Sequence, residues 1–393
     1  MPNFVATFIN ESSFPFYKDE VHFLWSAKSK FDTIVLTEVE NDLFFITIKK
    51  RKNDFVIKGE ELTRPAKVGL LQKALSVFKN EFCNGIICDT IAIKQNRLIK
   101  QTSILVNEED FLSTLDKAQF KKVFIEIGFG SGRHLLYQAK QNEDTLVIGI
   151  EVYKPSIEQV AKLAMAQNLN NILLLNSDAR IIFSLIKSHS IDKVFMHFPV
   201  PWEKAEHRRV VSESFADETK RILKQNGKFE LRSDDRDYVD FTIKHFLNLR
   251  YSHIEIKKDA NLEVSSKYED RWKKQQKNIY DMIFVNLEDD DIKDIKFDMS
   301  FDKRYNPVAI KTNFKNITIK RDDHFIHLEN CYEKSNDEIL IKLSLGAFYK
   351  PEHCYVFISF QKCEYIIKKP LATKENFMAH NTLKEFLEKC QSL

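Results

Sequence analysis

The chain has 393 residues, which is two to three times the usual length of one domain and predicts more than one folded core. Its composition is 43% hydrophobic and 30% charged, so the chain can bury such cores, and a mainly disordered protein is excluded. The net charge of +3 excludes a polycationic surface, so any nucleic-acid site must be a local patch.

The first 115 residues are β-rich. Apolar and β-branched runs, separated by short polar stretches, predict strands at 33–36, 44–50 and 55–58. A stretch of helical period predicts one helix at about 66–80. We therefore expect residues 1–115 to form an N-terminal module of their own.

The pattern changes at Val123 to short apolar runs, most of them followed by a stretch of helical period. The runs lie at 123–127, 146–150, 172–175, 194–198 and 229–231, and later runs at 254–257 and 279–285 complete the series. Such runs are typical of strands buried on both faces, and strands that alternate with helices form parallel sheets. Residues 116–287 are therefore predicted to form an α/β domain with a doubly wound, mostly parallel sheet.

Strand-like runs return beyond the acidic stretch at 288–291. They lie at 317–320, 339–343, 355–360 and 365–367, and a helix is predicted at about 375–389. We expect residues 296–393 to form a β-rich C-terminal module. The runs at 45–48 and 357–360 are each followed by a short strand and a helix, which indicates either a duplicated module or the common hairpin-then-helix arrangement.

Three of the nine glycines fall within five residues, directly after the first buried run: Gly128, Gly130 and Gly132. Glycine is needed where the backbone adopts positive φ or where a ligand approaches it closely. In a doubly wound sheet this first strand-to-helix turn lies where ligands bind. A dinucleotide-binding loop has a further glycine or alanine where this chain has Arg133, so an NAD site is disfavoured.

Acidic residues stand at the ends of the first three buried runs: Glu126, Glu151 and Asp178. A carboxylate repels phosphate and attracts an ammonium or sulfonium group, as in S-adenosylmethionine. Glu151 is placed to accept both ribose hydroxyls, and Asp178 to accept the adenine amino group. The alternative is that all three are surface acids without a ligand.

The fourth run leads into a stiff turn that contains Pro199, Pro201, Trp202 and Lys204. An indole ring beside a cation suits a nucleobase, and the alternative is a turn that packs the tryptophan into the core. A His-Arg-Arg sequence follows at 207–209, which either contacts phosphate or forms a solvated basic face.

The segment from Lys121 to Leu287 resembles the bacterial tRNA (guanine-N7-)-methyltransferase family. Five ordered motifs carry the resemblance: Glu-Ile-Gly-Phe-Gly-x-Gly at 126–132, Gly-Ile-Glu at 149–151, Phe-Pro-x-Pro-Trp-x-Lys at 198–204, Ser-Asp at 233–234 and Ser-Lys-Tyr-Glu-x-Arg at 266–271. The resemblance implies the fold of a class I S-adenosylmethionine-dependent methyltransferase, which is Rossmann-like. The flanking segments lie outside it, so the chain looks like a long version of the family with extra terminal modules.

The resemblance also implies roles for individual residues. The glycine loop, Glu126, Glu151 and Asp178 are expected to hold S-adenosylmethionine. The target guanosine, in the variable loop of tRNA, is expected to contact these residues: Lys204, Asp234, Ser266, Lys267, Tyr268 and Glu269. Lys204 and Asp234 are the expected catalytic residues.

The chain departs from the family at Val200, where the family has an aspartate that is regarded as catalytic. Guanine N7 carries a lone pair and no proton, so methyl transfer needs no general base. Proximity and neighbouring carboxylates such as Asp234 and Glu269 can supply the acceleration. We therefore expect methylation of guanine N7 in tRNA. Two alternatives stay open: a tRNA-binding protein with an impaired methyltransferase fold, or an enzyme for another RNA base.

Two basic patches are candidates for RNA contact. Residues 257–277 carry seven Lys and Arg against four acids, with Tyr268 and Trp272 between them, which suits either RNA or a solvated loop. The cluster at 49–52 is more typical of a solvated turn.

The cysteine spacing and the N-terminal sequence indicate the cellular compartment. The six cysteines show no metal or disulfide spacing, and no metal site is assigned. The N-terminus lacks a signal-peptide pattern, and no apolar run reaches about 18 residues. We expect a cytoplasmic protein without a membrane segment. The sequence does not indicate an oligomeric state.

Overall fold

The computed structural model describes residues 2–10, 13–65, 67–92, 103–117, 119–264, 267–288 and 297–392. The chain divides into two compact units. Met1–Asn96 and Phe297–Leu393 together form one, which we call the β-rich unit. Arg97–Lys296 forms the other, which we call the α/β unit.

The N-terminal part of the β-rich unit is a series of antiparallel strands with one helix. Its elements are β1 (Asn3–Ile9), β2 (Phe16–Lys18), β3 (Val21–Lys28), β4 (Thr33–Val39), β5 (Asp42–Lys50), β6 (Phe55–Gly59), α1 (Val68–Phe82) and β7 (Cys83–Asp89). Helix α1 forms because Leu71, Leu75, Phe78 and Phe82 recur every three or four residues and bury one face against the sheet. The three strands and the helix predicted here are confirmed as β4, β5, β6 and α1.

The α/β unit alternates strands and helices. Its elements are β8 (Leu105–Val106), α2 (Glu108–Lys117), β9 (Lys122–Ile127), α3 (Arg133–Gln141), β10 (Thr145–Glu151), α4 (Lys154–Ala166), β11 (Ile172–Asn176), α5 (Ala179–Leu185), β12 (Ile191–His197), α6 (Glu213–Ile222), β13 (Leu223–Ser233), α7 (Arg236–Phe246), β14 (Ser252–Lys258), α8 (Lys267–Lys274) and β15 (Tyr280–Asn286). All seven predicted runs of this domain are strands.

The C-terminal part of the chain returns to the β-rich unit. Its elements are α9 (Pro307–Asn313), β16 (Ile317–Lys320), β17 (Phe325–Ser335), β18 (Glu338–Gly346), β19 (Glu352–Ser359), β20 (Cys363–Ile366) and α10 (Lys374–Ser392). The four strands and the terminal helix predicted here are confirmed as β16, β18, β19, β20 and α10.

The β-rich unit contains the same arrangement twice. Strands β2 to β6 form an antiparallel meander followed by α1, and strands β16 to β20 form another followed by α10. The second strands of the two meanders, β3 and β17, are antiparallel neighbours. They lie in one sheet with the order β20-β19-β18-β17-β3-β4-β5-β6-β1-β7. This arrangement favours the duplicated module over two unrelated hairpins.

The structure differs from the expected division into modules at 1–115, 116–287 and 296–393. The two terminal segments form one unit because they share a sheet and an apolar cluster. In that cluster the rings of Phe45 and Tyr355 lie 4.9 Å apart. A separate ion pair also joins the two segments, with Lys342 Nζ 3.0 Å from Glu60 Oε1. Residues 103–115 belong to the α/β unit, where β8 pairs with β11.

The sheet of the α/β unit has the strand order β14-β15-β13-β12-β9-β10-β11-β8. Neighbours from β8 to β13 run parallel, whereas β15 is antiparallel to both β13 and β14. The predicted doubly wound sheet is therefore confirmed. The strand order switches at β9: β10 and β11 follow on one side of it, and β12 lies on the other side. Open α/β sheets bind ligands beyond the carboxyl ends of the strands at such a point. Among the described residues, no helix combines the length and apolar character that a membrane span needs.

Candidate active site

The glycine loop joins β9 to α3 with its backbone in the left-handed region. The φ angles are +66° at Gly128, +51° at Gly130 and +70° at Gly132. A Cβ at Gly132 would lie 2.5 Å from Val160 Cγ2, so this glycine is needed for helix packing. A Cβ at Gly128 or Gly130 would meet nothing within 4 Å, so the loop has open space above it for a ligand.

Glu151 ends β10 and fastens the glycine loop to that strand. Its Oε2 accepts a hydrogen bond from the Gly130 amide at 3.1 Å. Its Oε1 accepts from the amides of Val152 and Tyr153 at 2.9 and 3.0 Å. Each carboxylate oxygen can accept two bonds, so Oε1 is filled and Oε2 keeps one lone pair for a hydroxyl group of a ligand.

Asp178 lies at the carboxyl end of the next strand, as predicted, and caps α5. Its side chain accepts from the Arg180 amide at 2.9 Å and forms an ion pair of 2.7 Å with the Arg180 guanidinium. A donor adenine would therefore share this carboxylate with Arg180. The amide of Asn176 links β11 to β10 by donating to the carbonyls of Glu151 and Val152.

Glu126 lies on the face of the sheet beneath α3, in contrast to Glu151. It is 3% exposed, and its Oε2 lies 2.8 Å from Nδ1 of the buried His134. The other ring nitrogen of His134 contacts Gln138 at 3.0 Å. Glu126 is thus engaged within the α/β unit and does not face the open loop.

His197 ends β12 beside this pair. Its ring centroid lies 4.4 Å from that of His134. Burial, then the neighbouring His134, then Arg232 lower the pKa of His197 well below its ordinary value, so the imidazole is neutral at pH 7. Sequence reasoning did not single out either histidine, because neither belongs to a motif that carried the resemblance.

The proline turn after β12 presents its side chains to solvent. Val200 is 61% exposed and Trp202 is 39% exposed, so the tryptophan does not pack into the core. The Phe198 amide donates to the Arg232 carbonyl at 2.7 Å, which holds the start of the turn against β13. Lys204 is also exposed in this turn.

Arg209 supports the same turn from below. It is 6% exposed, donates from Nε to the Pro201 carbonyl at 2.8 Å and lies 4.5 Å over the Phe241 ring. The expected phosphate contact is therefore wrong for Arg209. Arg208 stays exposed and lies 5.1 Å over the Trp202 ring, while the side chain of His207 lies outside the described part.

Asp234 follows β13 and is bound by a lysine from beyond α8. Lys277 Nζ lies 2.7 Å from Asp234 Oδ2, and the same Nζ lies 3.7 Å from the Trp272 ring centroid. Asp234, Lys277 and Trp272 therefore form one contact group beside the end of β13. An RNA base that reaches Asp234 would meet this charged and aromatic surface.

Glu269 is not available to a substrate, which corrects its predicted role. It is 1% exposed, and its two oxygens lie 2.9 and 3.2 Å from the guanidinium of Arg232. Burial alone would raise the pKa of Glu269, but hydrogen bonds from Arg232 and Lys273 lower it below its usual value. Its negative charge is therefore compensated inside the protein.

Arg232 is the centre of this buried group, and sequence reasoning missed it. It is 1% exposed and also bonds both oxygens of Asp281 at 2.6 and 2.7 Å and the Ala260 carbonyl at 2.7 Å. The available signal was an arginine inside a strand that is otherwise buried. This side chain joins β13, β15 and α8.

The remaining predicted residues are Ser266, Lys267 and Tyr268. Ser266 is outside the described residues, and the side chains of Lys267 and Tyr268 are outside them as well, although both residues belong to the helix. Several charges of the predicted basic patch at 257–277 are internally paired. Arg133 binds Asp270 at 2.7 Å, and Lys273 binds Glu269 at 2.8 Å.

Comparison with known proteins decides the family. A family model described as "Putative methyltransferase" matches residues 120–282, which are nearly the whole sheet of the α/β unit. The tRNA (guanine-N(7)-)-methyltransferase of Campylobacter fetus subsp. fetus is 51% identical over 391 residues, covering 98% of this chain and 99% of the relative. The chain belongs to the tRNA (guanine-N(7)-)-methyltransferase family.

More distant members have the same long form. The tRNA (guanine-N(7)-)-methyltransferase of Wolinella succinogenes is 35% identical over 399 residues, covering 98% of this chain and all of the relative. That of Helicobacter acinonychis is 37% identical over 403 residues, covering 99% and 98%. The predicted family, methyltransferase fold and enzyme class are confirmed, and the terminal segments are part of what these relatives share.

Proposed function

We propose that this enzyme transfers the methyl group of S-adenosylmethionine to N7 of a guanine in the variable loop of tRNA. The observation that carries the proposal is the nearly full-length similarity to relatives named tRNA (guanine-N(7)-)-methyltransferase. The open glycine loop beside Glu151 supports it, because this is where a nucleoside with a sulfonium group would fit.

The donor site consists of the loop and two strand ends. The backbone around Gly128 and Gly130 leaves room for a close ligand, and Glu151 Oε2 accepts one ribose hydroxyl. Asp178 accepts the adenine amino group and keeps its ion pair with Arg180. Glu126 pairs with His134 beneath α3, so we assign it no direct contact with the donor.

The acceptor side requires orientation more than acid–base chemistry. When bound, S-adenosylmethionine would supply a sulfonium methyl group for attack by the N7 lone pair, with S-adenosylhomocysteine as the leaving group and no proton transferred. The chain must therefore hold the base in line and offset the positive charge that grows on the ring. Asp234 carries the nearby negative charge, and Lys204 is placed to donate to O6 of the guanine.

Val200 is compatible with this reaction because no general base is needed. Its exposed side chain lies in the turn that presents Trp202, where it can pack against the base. Because Val200 stands where the family has an aspartate, we assign the electrostatic role of that carboxylate to Asp234. Arg209 and Arg232 act indirectly, since the first holds the Pro201 carbonyl and the second anchors α8.

The proposal is tested with tritium-labelled donor and two tRNA transcripts. One transcript contains guanosine and the other contains 7-deazaguanosine, which has carbon in place of N7. We expect methyl transfer to the first transcript and none to the second. Equal transfer to both would mean that another atom is methylated. Donor binding without transfer to either would favour the alternative of a tRNA-binding protein with an impaired methyltransferase fold.

A further inference from the structure

A solvated cavity lies on one face of the sheet in the α/β unit, below the carboxyl edge where the donor loop lies. Its volume is about 340 Å³. The face of β12, β13 and β15 forms its floor, α3 forms one wall, and residues 260–262 form another. His134 and His197 both line it, and Glu126 is buried against His134.

Three metal-ligating side chains meet at this cavity from three different elements. Glu126 comes from β9, His134 from the first turn of α3, and His197 from the end of β12. One ligand atom of each lies within 4.8 Å of those of the other two. We propose that Glu126, His134 and His197 bind a divalent transition-metal ion.

The ion would take the place of a proton. At present Glu126 Oε2 and His134 Nδ1 lie 2.8 Å apart and share one hydrogen. A metal with bonds of about 2.0–2.2 Å to nitrogen and oxygen needs these two atoms a few tenths of an ångström further apart. His134 then binds through Nδ1 as the other neutral tautomer: its hydrogen moves from Nδ1 to Nε2 by exchange with solvent, with no net release of a proton, and the Gln138 amide turns to accept it. Because the ligand atoms lie within 4.8 Å of one another, His197 also moves towards the other two side chains.

The surroundings of His134 suit a ligand. Its second nitrogen contacts Gln138, whose amide offers both a donor and an acceptor and can fix the ring in the metal-binding orientation. His197 makes no described hydrogen bond through its ring and is partly open to the cavity. A fourth position on the ion would face the cavity and hold water.

The donor set indicates the class of metal. Two imidazoles and one carboxylate suit zinc, cobalt, iron or nickel, whereas calcium and magnesium prefer oxygen ligands throughout. The competing explanation is that Glu126 and His134 form only a structural hydrogen bond. That explanation gives His197 no part, so His197 is the residue that separates the two.

The experiment uses the full chain after treatment with a chelator and titrates it with Co²⁺. We expect one equivalent to bind with the visible absorption of a four-coordinate site, and Zn²⁺ to displace it. Loss of a residue that only supports a metal ligand lowers the affinity for the metal by about 10–100-fold. The affinity of His197→Ala for Co²⁺ should fall by more than that. The control variant His253→Ala, which changes an exposed histidine on β14, should bind as the wild type does.

Absence of Co²⁺ binding to the wild type, or equal binding by His197→Ala, would overturn the proposal. Far-UV circular dichroism establishes that the variants are folded. Should His197→Ala fail to fold, the zinc-edge X-ray absorption spectrum of the wild-type complex decides. Two imidazole ligands support the site, and a spectrum with one imidazole or none contradicts it. Neither readout depends on methyl transfer, so failure here leaves the proposed function untouched.

Discussion

Glu151 joins the end of β10 to the glycine loop through a hydrogen bond from the Gly130 amide. Replacing it with alanine removes this bond and the acceptor for a ribose hydroxyl. We expect Glu151→Ala to weaken S-adenosylmethionine binding by about 1–3 kcal/mol, because hydrogen bonds to a charged group are lost. Isothermal titration calorimetry measures this change directly.

The exposed Glu143, in the turn before β10, provides the matched control for that prediction. Glu143→Ala removes the same charge without touching the loop and should leave donor affinity unchanged. If Glu151→Ala binds the donor as tightly as Glu143→Ala does, Glu151 has no place in the donor site.

Asp234 is expected to act on the acceptor and not on the donor. Its carboxylate is held by Lys277 beside the Trp272 ring, directly after the end of β13, to which the Phe198 amide fastens the start of the proline turn. We expect Asp234→Ala to lower methyl transfer by about 10–1,000-fold, since it removes a charge that stabilises the methylated base. Single-turnover rates with saturating donor, together with donor affinity, measure this effect. Equal losses of both quantities would show that Asp234 only supports the fold.

Individual residues of the site could be predicted only in part from the sequence. Glu151 and Asp178 lie where strand ends predicted them, because ends of parallel strands meet at one edge. Glu126 and Glu269 belong to motifs as well, yet both point into the protein. The order of motifs does not reveal which face a side chain takes or which partner it meets. Their partners, His134 for Glu126 and Arg232 for Glu269, lie outside the motifs.

At the scale of elements, Arg232 holds β13, β15 and α8 together. We expect Arg232→Met to destabilise this region by about 3–5 kcal/mol, because Glu269 and Asp281 would remain as buried charges without their partner. Hydrogen exchange of the amides in β13 and β15 measures the free energy of opening. The double replacement of Glu269 and Asp281 by neutral residues should recover part of the loss in Arg232→Met.

An exposed arginine serves as the control for that experiment. Arg236 lies at the start of α7, its side chain is 73% exposed, and it pairs with Asp240 one turn along the helix. Arg236→Met should change the opening free energy by less than about 0.5 kcal/mol. Similar effects of both substitutions would contradict the central role given to Arg232.

Elements were predicted well where a run of apolar residues defined them. The central strands β9, β10 and β11 are almost continuously buried, so apolar runs mark them clearly. Strands β3 and β17 were missed because they mix apolar, polar and aromatic residues, and at least half of the positions in each are only partly buried. The same two strands pair with each other, so the joint between the terminal segments was not visible in the sequence.

For the whole molecule, the joining of the two terminal segments makes a prediction about stability. Tyr355 is 1% exposed and packs on Phe45, which in turn lies 5.8 Å from Trp25. We expect Tyr355→Ala to destabilise the β-rich unit by about 3–5 kcal/mol through the cavity it creates. Trp25 fluorescence during urea unfolding reports this, in a chain whose other two tryptophans are replaced by phenylalanine.

Phe360 directly follows β19, the strand that contains Tyr355, and is 46% exposed. It provides the matched control. Phe360→Ala should move the Trp25 transition far less than Tyr355→Ala. A Trp25 transition unaffected by Tyr355→Ala would mean that the N-terminal segment folds without the C-terminal one. Pairing between residues some 300 positions apart, such as Lys28 and Glu333, leaves no local pattern, which is why the division into modules could not be predicted.

The central claim is that this enzyme methylates N7 of guanine in the variable loop of tRNA. Borohydride reduction followed by aniline cleaves RNA at N7-methylguanosine and therefore locates the modified nucleotide. After incubation of unmodified tRNA with the enzyme and S-adenosylmethionine, we expect one new cleavage within the variable loop. Methyl incorporation without cleavage, or cleavage at another position, would contradict the account.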